Sequence, residues 1–157
     1  MFNVAFTEVL LVTLAILLLV AAVIDVRTFT ISNRLNLCVA LLAPIYWWSI
    51  SMPLGWGVPL QLAMGAAVFA LFAIAFWLGM MGGGDVKLAA ALALWFSPAT
   101  TIRFLVLMSI AGGVLTVLVM VLHKVRRSEG PPRVPYGVAI AFGGLFILAQ
   151  RFLNQFS

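Results

Sequence analysis

The strongest constraint on this chain is a series of apolar runs, each about as long as a lipid bilayer's hydrocarbon layer is thick. Long runs cover residues 4–24, 60–78 and 104–122. A helix rises about 1.5 Å per residue, so roughly 20 apolar residues cross a layer of about 30 Å. Only 8% of the 157 residues are charged, against about 25% in water-soluble domains. These features indicate an integral membrane protein and exclude a soluble enzyme or a nucleic-acid binder.

Two further apolar runs, residues 37–50 and 136–152, are interpreted as transmembrane spans. Residues 86–95 form a sixth apolar run, which its length alone would not identify as a span. The distribution of basic residues indicates whether this short segment crosses the membrane. With six crossings, seven of the nine basic residues face the cytoplasm and only Arg103 and Arg151 lie outside. Five crossings would move the basic cluster at 123–133 outside, against the positive-inside rule. The sequence predicts one all-α membrane domain over residues 1–157, with six transmembrane helices and both termini on the periplasmic side.

The net charge, the cysteine content and the tryptophans do not indicate a catalytic or metal-binding site. A net charge of +5 fits basic cytoplasmic loops, so no nucleic-acid partner is expected. Cys38 is the single cysteine, so it forms no internal disulfide and no cysteine-based zinc site; no metal or cofactor is expected. Trp47, Trp48, Trp56 and Trp95 lie near span ends and are interpreted as interface anchors.

Two of the four carboxylates stand out by position. Asp25 directly follows the first apolar run, where the negative end of a helix dipole disfavours a carboxylate. Asp85 follows three glycines at the start of the short fourth segment, and the six-crossing topology puts it at the same cytoplasmic depth. Each has a structural alternative: Asp85 as a helix N-cap, and Asp25 as a solvated loop residue paired with Arg27.

Two carboxylates that share a site can divide acid and base roles. Because two like charges a few ångströms apart cannot both ionise, one carboxyl stays protonated while the other acts as a base on water. This is the chemistry of aspartyl proteolysis. A small proton- or cation-coupled transporter and a non-enzymatic membrane scaffold are the alternatives.

Three motifs resemble those of the type IV prepilin leader peptidases. Residues 82–88, Gly-Gly-Gly-Asp-Val-Lys-Leu, match that family's GxGD-x-K-L motif. Asp25-x-Arg27 followed by Ile31-Ser32-Asn33 resembles its first aspartate motif, and residues 134–141 are similar to its P-Y-G-P-A-I segment. The short length and the immediate start in the first helix resemble the branch that serves Flp-type, tight-adherence pili.

The resemblance implies an intramembrane aspartyl endopeptidase in the bacterial inner membrane. It would remove the leader of prepilins or pseudopilins, which carry a hydrophobic N-terminal helix, at the cytoplasmic face. By motif position Asp25 and Asp85 carry over as the catalytic pair, and Gly82 and Gly84 as a flexible turn. The residues that match motif positions with less defined roles are Arg27, Asn33, Lys87, Pro135 and Tyr136.

The chain departs from the family pattern in three places. Ser32 and Val138 each stand where the family usually has proline, and both are expected to loosen the local backbone. The cytoplasmic segment with paired Cys-x-x-Cys motifs, found in long family members that also methylate the cleaved pilin, is absent. Peptidase activity without a zinc site is therefore expected, and methylation is left open. The expected partners are the prepilin substrates and membrane lipid, with homodimerisation left open.

Overall fold

The described part of the chain is entirely helical. The computed structural model describes residues 2–126 and 132–155, and within them it contains six α-helices and no strand. The helices are α1 (Phe2–Thr28), α2 (Asn33–Ser49), α3 (Gly57–Trp77), α4 (Gly83–Ala93), α5 (Pro98–Val125) and α6 (Tyr136–Gln155). Four of them, α1, α3, α5 and α6, are long and apolar enough to cross a membrane. The all-α class is confirmed for these residues, while 127–131 of the basic cluster lie outside them.

Contacts between helix ends show that consecutive helices alternate in direction. The carboxylate of Asp25, near the end of α1, accepts a hydrogen bond from the start of α6, and Ile31, just before α2, packs against the start of α4. At the other end, Trp47 of α2 and Gln61 of α3 both donate to the carbonyl of Leu94, just after α4. We call the first end of the bundle the aspartate end and the second the far end.

The short helix α4 takes the chain from the aspartate end to the far end in 11 residues, or about 16 Å. The last carbonyls of a helix have no partner within it, and inside a membrane they need one from elsewhere. Here the carbonyl of Leu94 accepts from Trp47 Nε1 at 2.7 Å and from Gln61 Nε2 at 3.1 Å. The carbonyl of Phe96 accepts from Gln61 and from Thr101. These side chains allow α4 to end inside the bundle.

Helix α4 also forms the centre of the core. Leu88, Ala89, Leu92 and Ala93 are fully buried, and α4 packs against α2, α3 and α6. By contrast, α3 and α5 expose most of their apolar side chains, as expected of helices that face lipid. The fourth apolar segment can therefore be shorter than a lipid-exposed span, because other helices pack around it on several sides.

Several helices extend beyond the predicted runs because the apolar runs leave out polar residues in the terminal turns, and the end of α1 and the start of α2 show how. α1 continues past Asp25 to Thr28 and ends where Phe29 adopts a positive φ of 52°, which is uncommon outside glycine. α2 begins at Asn33 because Ser32 is its N-cap, with a side chain that accepts from the Leu35 N–H. Ser32 has a φ of −69°, a value proline also adopts, so the backbone here fits either residue, and the expected loosening stays a prediction.

The tryptophan prediction is wrong for two of its four residues. Trp48 and Trp56 are 73% and 69% exposed, as interface anchors should be. Trp47 and Trp95 are buried, and their indole N–H groups donate to backbone carbonyls within the bundle. A position near a span end does not distinguish a tryptophan that anchors at the interface from one that donates a hydrogen bond inside the bundle, because both roles use an apolar ring with one polar atom.

Candidate active site

Asp25 lies in the last turn of α1 and is only 2% exposed, which excludes the solvated-loop alternative. Its carboxylate oxygen Oδ2 accepts a hydrogen bond from the Val138 N–H at 3.3 Å, and the carboxylate also accepts from the Gly137 N–H. Both donors belong to the first turn of α6, where backbone N–H groups have no partner within the helix. The start of α6 thus holds the Asp25 carboxylate through the backbone.

Asp85 is the third residue of α4 and is 8% exposed. The N-cap of α4 is Gly82, so the interpretation of Asp85 as the N-cap is wrong by three positions. The Asp85 carboxylate nevertheless accepts a hydrogen bond from the Gly82 N–H, as an acid at this helical position does in a capping box. Asp85 therefore satisfies one backbone N–H at the start of α4, while its carboxylate remains at the aspartate end.

The structure brings Asp25 and Asp85 together, although 59 residues separate them in the sequence. The two carboxylates lie close enough to interact electrostatically. Ile31 connects the elements that carry them, since its backbone lies against Gly84 of α4 and its side chain lies against Gly137 of α6. The ends of α1, α4 and α6 thus converge on one pair of buried acids.

Three glycines make this convergence sterically feasible. A Cβ atom at Gly82 would lie 2.9 Å from Asp85 Oδ2, and one at Gly84 would lie 2.7 Å from the Ile31 carbonyl oxygen. A Cβ at Gly137 would lie 2.7 Å from Asp25 Oδ2 and 2.6 Å from Ile31 Cδ1. None of the three has a positive φ, so the glycines are needed for close approach rather than for an unusual backbone conformation.

The five residues whose motif roles are less defined form no hydrogen bond to either aspartate in the described part of the chain. Lys87 Nζ donates to Asn33 Oδ1 at 2.8 Å, which joins the starts of α4 and α2. Arg27 is exposed in the last turn of α1. Pro135 is buried just before α6, and the ring of Tyr136 packs beside Gly112 of α5.

The sequence motifs assign no role at the site to three residues that shape it. Gly137 and Val138 lie within the segment already noticed, but the donors are their backbone N–H groups, for which no side-chain pattern exists. Asn36 is 4% exposed, and its Nδ2 donates to the Gly84 carbonyl at 2.9 Å, whereas its Oδ1 has no hydrogen-bond partner in the described residues. An amide in an otherwise apolar stretch of α2 was the available signal.

The fold and the site together define a multi-pass membrane protein whose helix ends bring two buried carboxylates to one end of the bundle. The sequence model of the type IV leader peptidase family matches residues 12–117, about two thirds of the chain. The chain belongs to that family and is a membrane protease. The match contains both aspartates, whereas the start of α6 lies beyond it. Comparisons with curated proteins and with solved structures returned no match.

Proposed function

We propose that this protein is an aspartyl endopeptidase that removes the leader peptide of prepilins, with Asp25 and Asp85 as its catalytic pair. The observation that carries this proposal is the meeting of two buried carboxylates from distant parts of the chain. Acidic side chains are rare in membrane segments and usually have a function. Family membership adds the reaction class, the cleavage of a leader peptide.

The proposed mechanism needs one shared proton. One carboxylate takes a proton from water as the water oxygen attacks the scissile carbonyl carbon, while the protonated partner donates a hydrogen bond to the carbonyl oxygen. The tetrahedral intermediate then collapses, the C–N bond breaks, and the leaving amine receives a proton from the pair. Either aspartate can start in either role, since the two titrate together.

The distribution of basic residues supports a cytoplasmic active site. The far end carries Arg103 and Arg151, and every other described basic side chain belongs to a segment at the aspartate end: Arg27, Arg34, Lys87, Lys124, Arg126 and Arg133. Under the positive-inside rule the aspartate end faces the cytoplasm. The end-to-end course of α4 supports six crossings, with both termini on the periplasmic side of the bacterial inner membrane.

The proposed substrates are prepilins or pseudopilins of the Flp type. The hydrophobic N-terminal helix of such a substrate would lie in the bilayer beside the bundle, where α3 and α5 expose apolar side chains. Its basic leader would stay at the cytoplasmic interface, near Asp25 and Asp85. A transporter is less well supported, because both acids lie at one end of the bundle rather than near its middle.

The decisive experiment is a cleavage assay with a Flp-type prepilin in proteoliposomes, in which mass spectrometry follows loss of the leader. Asp25→Asn and Asp85→Asn should each abolish cleavage, because neither variant retains both an acid and a base. Glu8→Gln provides the matched control, since Glu8 is a carboxylate of α1 away from the pair. Cleavage by either Asp→Asn variant at the rate of the control would refute the assignment.

A further inference from the structure

A second site lies at the far end of the bundle, away from the aspartates. A cavity of about 620 Å³ opens there among the ends of the helices. This volume is within the range of pockets that bind small molecules, roughly 300–1,000 Å³. All six helices or their adjoining loops contribute to its wall, so the cavity belongs to the bundle as a whole.

The cavity is amphipathic. Its inner wall is built from buried apolar and aromatic side chains, among them Leu11, Trp95, Phe96 and Leu148. Its rim carries the exposed polar residues Ser97, Arg103, Gln150, Arg151 and Asn154. A ligand that fills such a cavity needs an apolar body and a polar head.

The rim is also cationic, and its described lining residues include no carboxylate. Arg103 and Arg151 are the two basic residues of the far end, and neither forms an ion pair within the described residues. Arg151 is held in place: its guanidinium lies 5.6 Å from the centre of the Tyr46 ring and donates to the Tyr46 hydroxyl. Tyr46 is buried and stacks on Trp95, so one of the two cations is fixed over the cavity before any ligand binds.

We propose that this cavity binds an anionic phospholipid of the outer leaflet, with its phosphate on Arg103 and Arg151 and an acyl chain along the apolar wall. Guanidinium groups match phosphate geometry through paired hydrogen bonds. The positive-inside rule makes basic residues unusual on the outer side of a membrane protein. Arg103 and Arg151, the two basic residues of the far end, both line this cavity. The occupant is lipid because the same ligand must satisfy both the cations and the apolar wall.

The test measures lipid retention by the purified protein in detergent. Native mass spectrometry and the thermal unfolding midpoint are recorded with phosphatidylglycerol, with phosphatidylcholine of the same acyl chains, and with inorganic phosphate. Phosphatidylglycerol should bind and raise the midpoint. Phosphatidylcholine has the same phosphate group but also a cationic choline that the two arginines repel, so it should bind at least tenfold more weakly, and phosphate alone should not shift the midpoint. The Arg103→Gln/Arg151→Gln variant should retain phosphatidylglycerol at least tenfold more weakly than wild type.

The matched control is Lys124→Gln/Arg126→Gln, which removes the same charge at the aspartate end and should bind phosphatidylglycerol like wild type. Arg103→Gln alone serves if loss of the Tyr46 contact unfolds the double variant, because Arg103 has no hydrogen bond to another described residue. Equal retention by the Arg103 variants and the control would overturn the proposal, as would equal retention of phosphatidylcholine. A midpoint shift with phosphate alone would also overturn it, since a free anion would then suffice.

Discussion

Gly137→Ala is the substitution that most directly tests how α6 positions Asp25. The added Cβ would lie 2.7 Å from Asp25 Oδ2 and 2.9 Å from its Cγ. Ordinary contact needs about 3.5 Å, so the carboxylate would move by roughly 0.6–0.8 Å. The Ile31 Cδ1 atom, 2.6 Å away, is the end of a flexible side chain and can rotate aside. The strain therefore falls chiefly on the carboxylate.

A displacement of about 1 Å in a catalytic group costs roughly 100-fold in rate. We therefore expect kcat/KM for prepilin cleavage to fall by about 30- to 100-fold, or about 2–3 kcal/mol of transition-state stabilisation. The unfolding midpoint should change little, because alanine is a better helix former than glycine and the fold remains intact. The assay is cleavage in proteoliposomes alongside thermal unfolding of the same preparation.

Gly113→Ala is the matched control, since a Cβ at this helical glycine of α5 would meet nothing within 4 Å. Its activity should equal that of wild type. If Gly137→Ala cleaves within about threefold of that control, the placement of the Asp25 carboxylate against α6 does not matter for the reaction, and the reasoning fails.

Three further predictions follow from the site and its surroundings. Val138→Pro installs the proline usual in the family and removes one of two N–H donors to Asp25. Because the Gly137 N–H remains and proline is tolerated in a first helical turn, cleavage should slow by at most about threefold while the fold persists; a loss of more than about tenfold would show that this chain depends on the Val138 hydrogen bond. Gln61→Leu removes a donor from the Leu94 and Phe96 carbonyls and should lower the free energy of unfolding by about 1–3 kcal/mol, measured by denaturation in detergent; wild-type stability would show that Trp47 and Thr101 suffice. The cleavage rate should be bell-shaped in pH, because the pair needs one protonated and one ionised carboxyl, and a flat profile would contradict the shared proton.

The helices and the identity of the paired acids could be predicted from the sequence for physical reasons. Apolar runs long enough to cross a membrane leave few alternatives to helix, because lipid offers no partner for backbone polar groups. The distribution of basic residues predicts that the fourth segment crosses the membrane. The contacts of Trp47 and Gln61 with Leu94 show that α4 runs from one end of the bundle to the other, and the crossing itself stays a prediction.

The surroundings of the acids could not be predicted, because they depend on backbone atoms and on packing. The donors to Asp25 are the N–H groups of Gly137 and Val138, and any residue but proline would supply the second. The requirement for glycine at 137 arises only from the approach of α1 to α6. Likewise, the burial of Trp47 and Trp95 depends on which helices flank α4, and a linear sequence does not state this.

The convergence of α4 and α6 on the two aspartates also has a consequence for charge balance. Each helix N-terminus carries the equivalent of about half a positive charge, and both termini point at the pair. With one shared proton, the pair carries a single negative charge. The two N-termini supply about one positive charge, but the C-terminus of α1 beside Asp25 adds about half a negative charge, so the helix dipoles together offset roughly half of it. Helix dipoles therefore supply part of the counter-charge that a basic side chain would otherwise provide, and because fixed dipoles at a buried site are weakly screened, the intrinsic cleavage step should respond little to ionic strength.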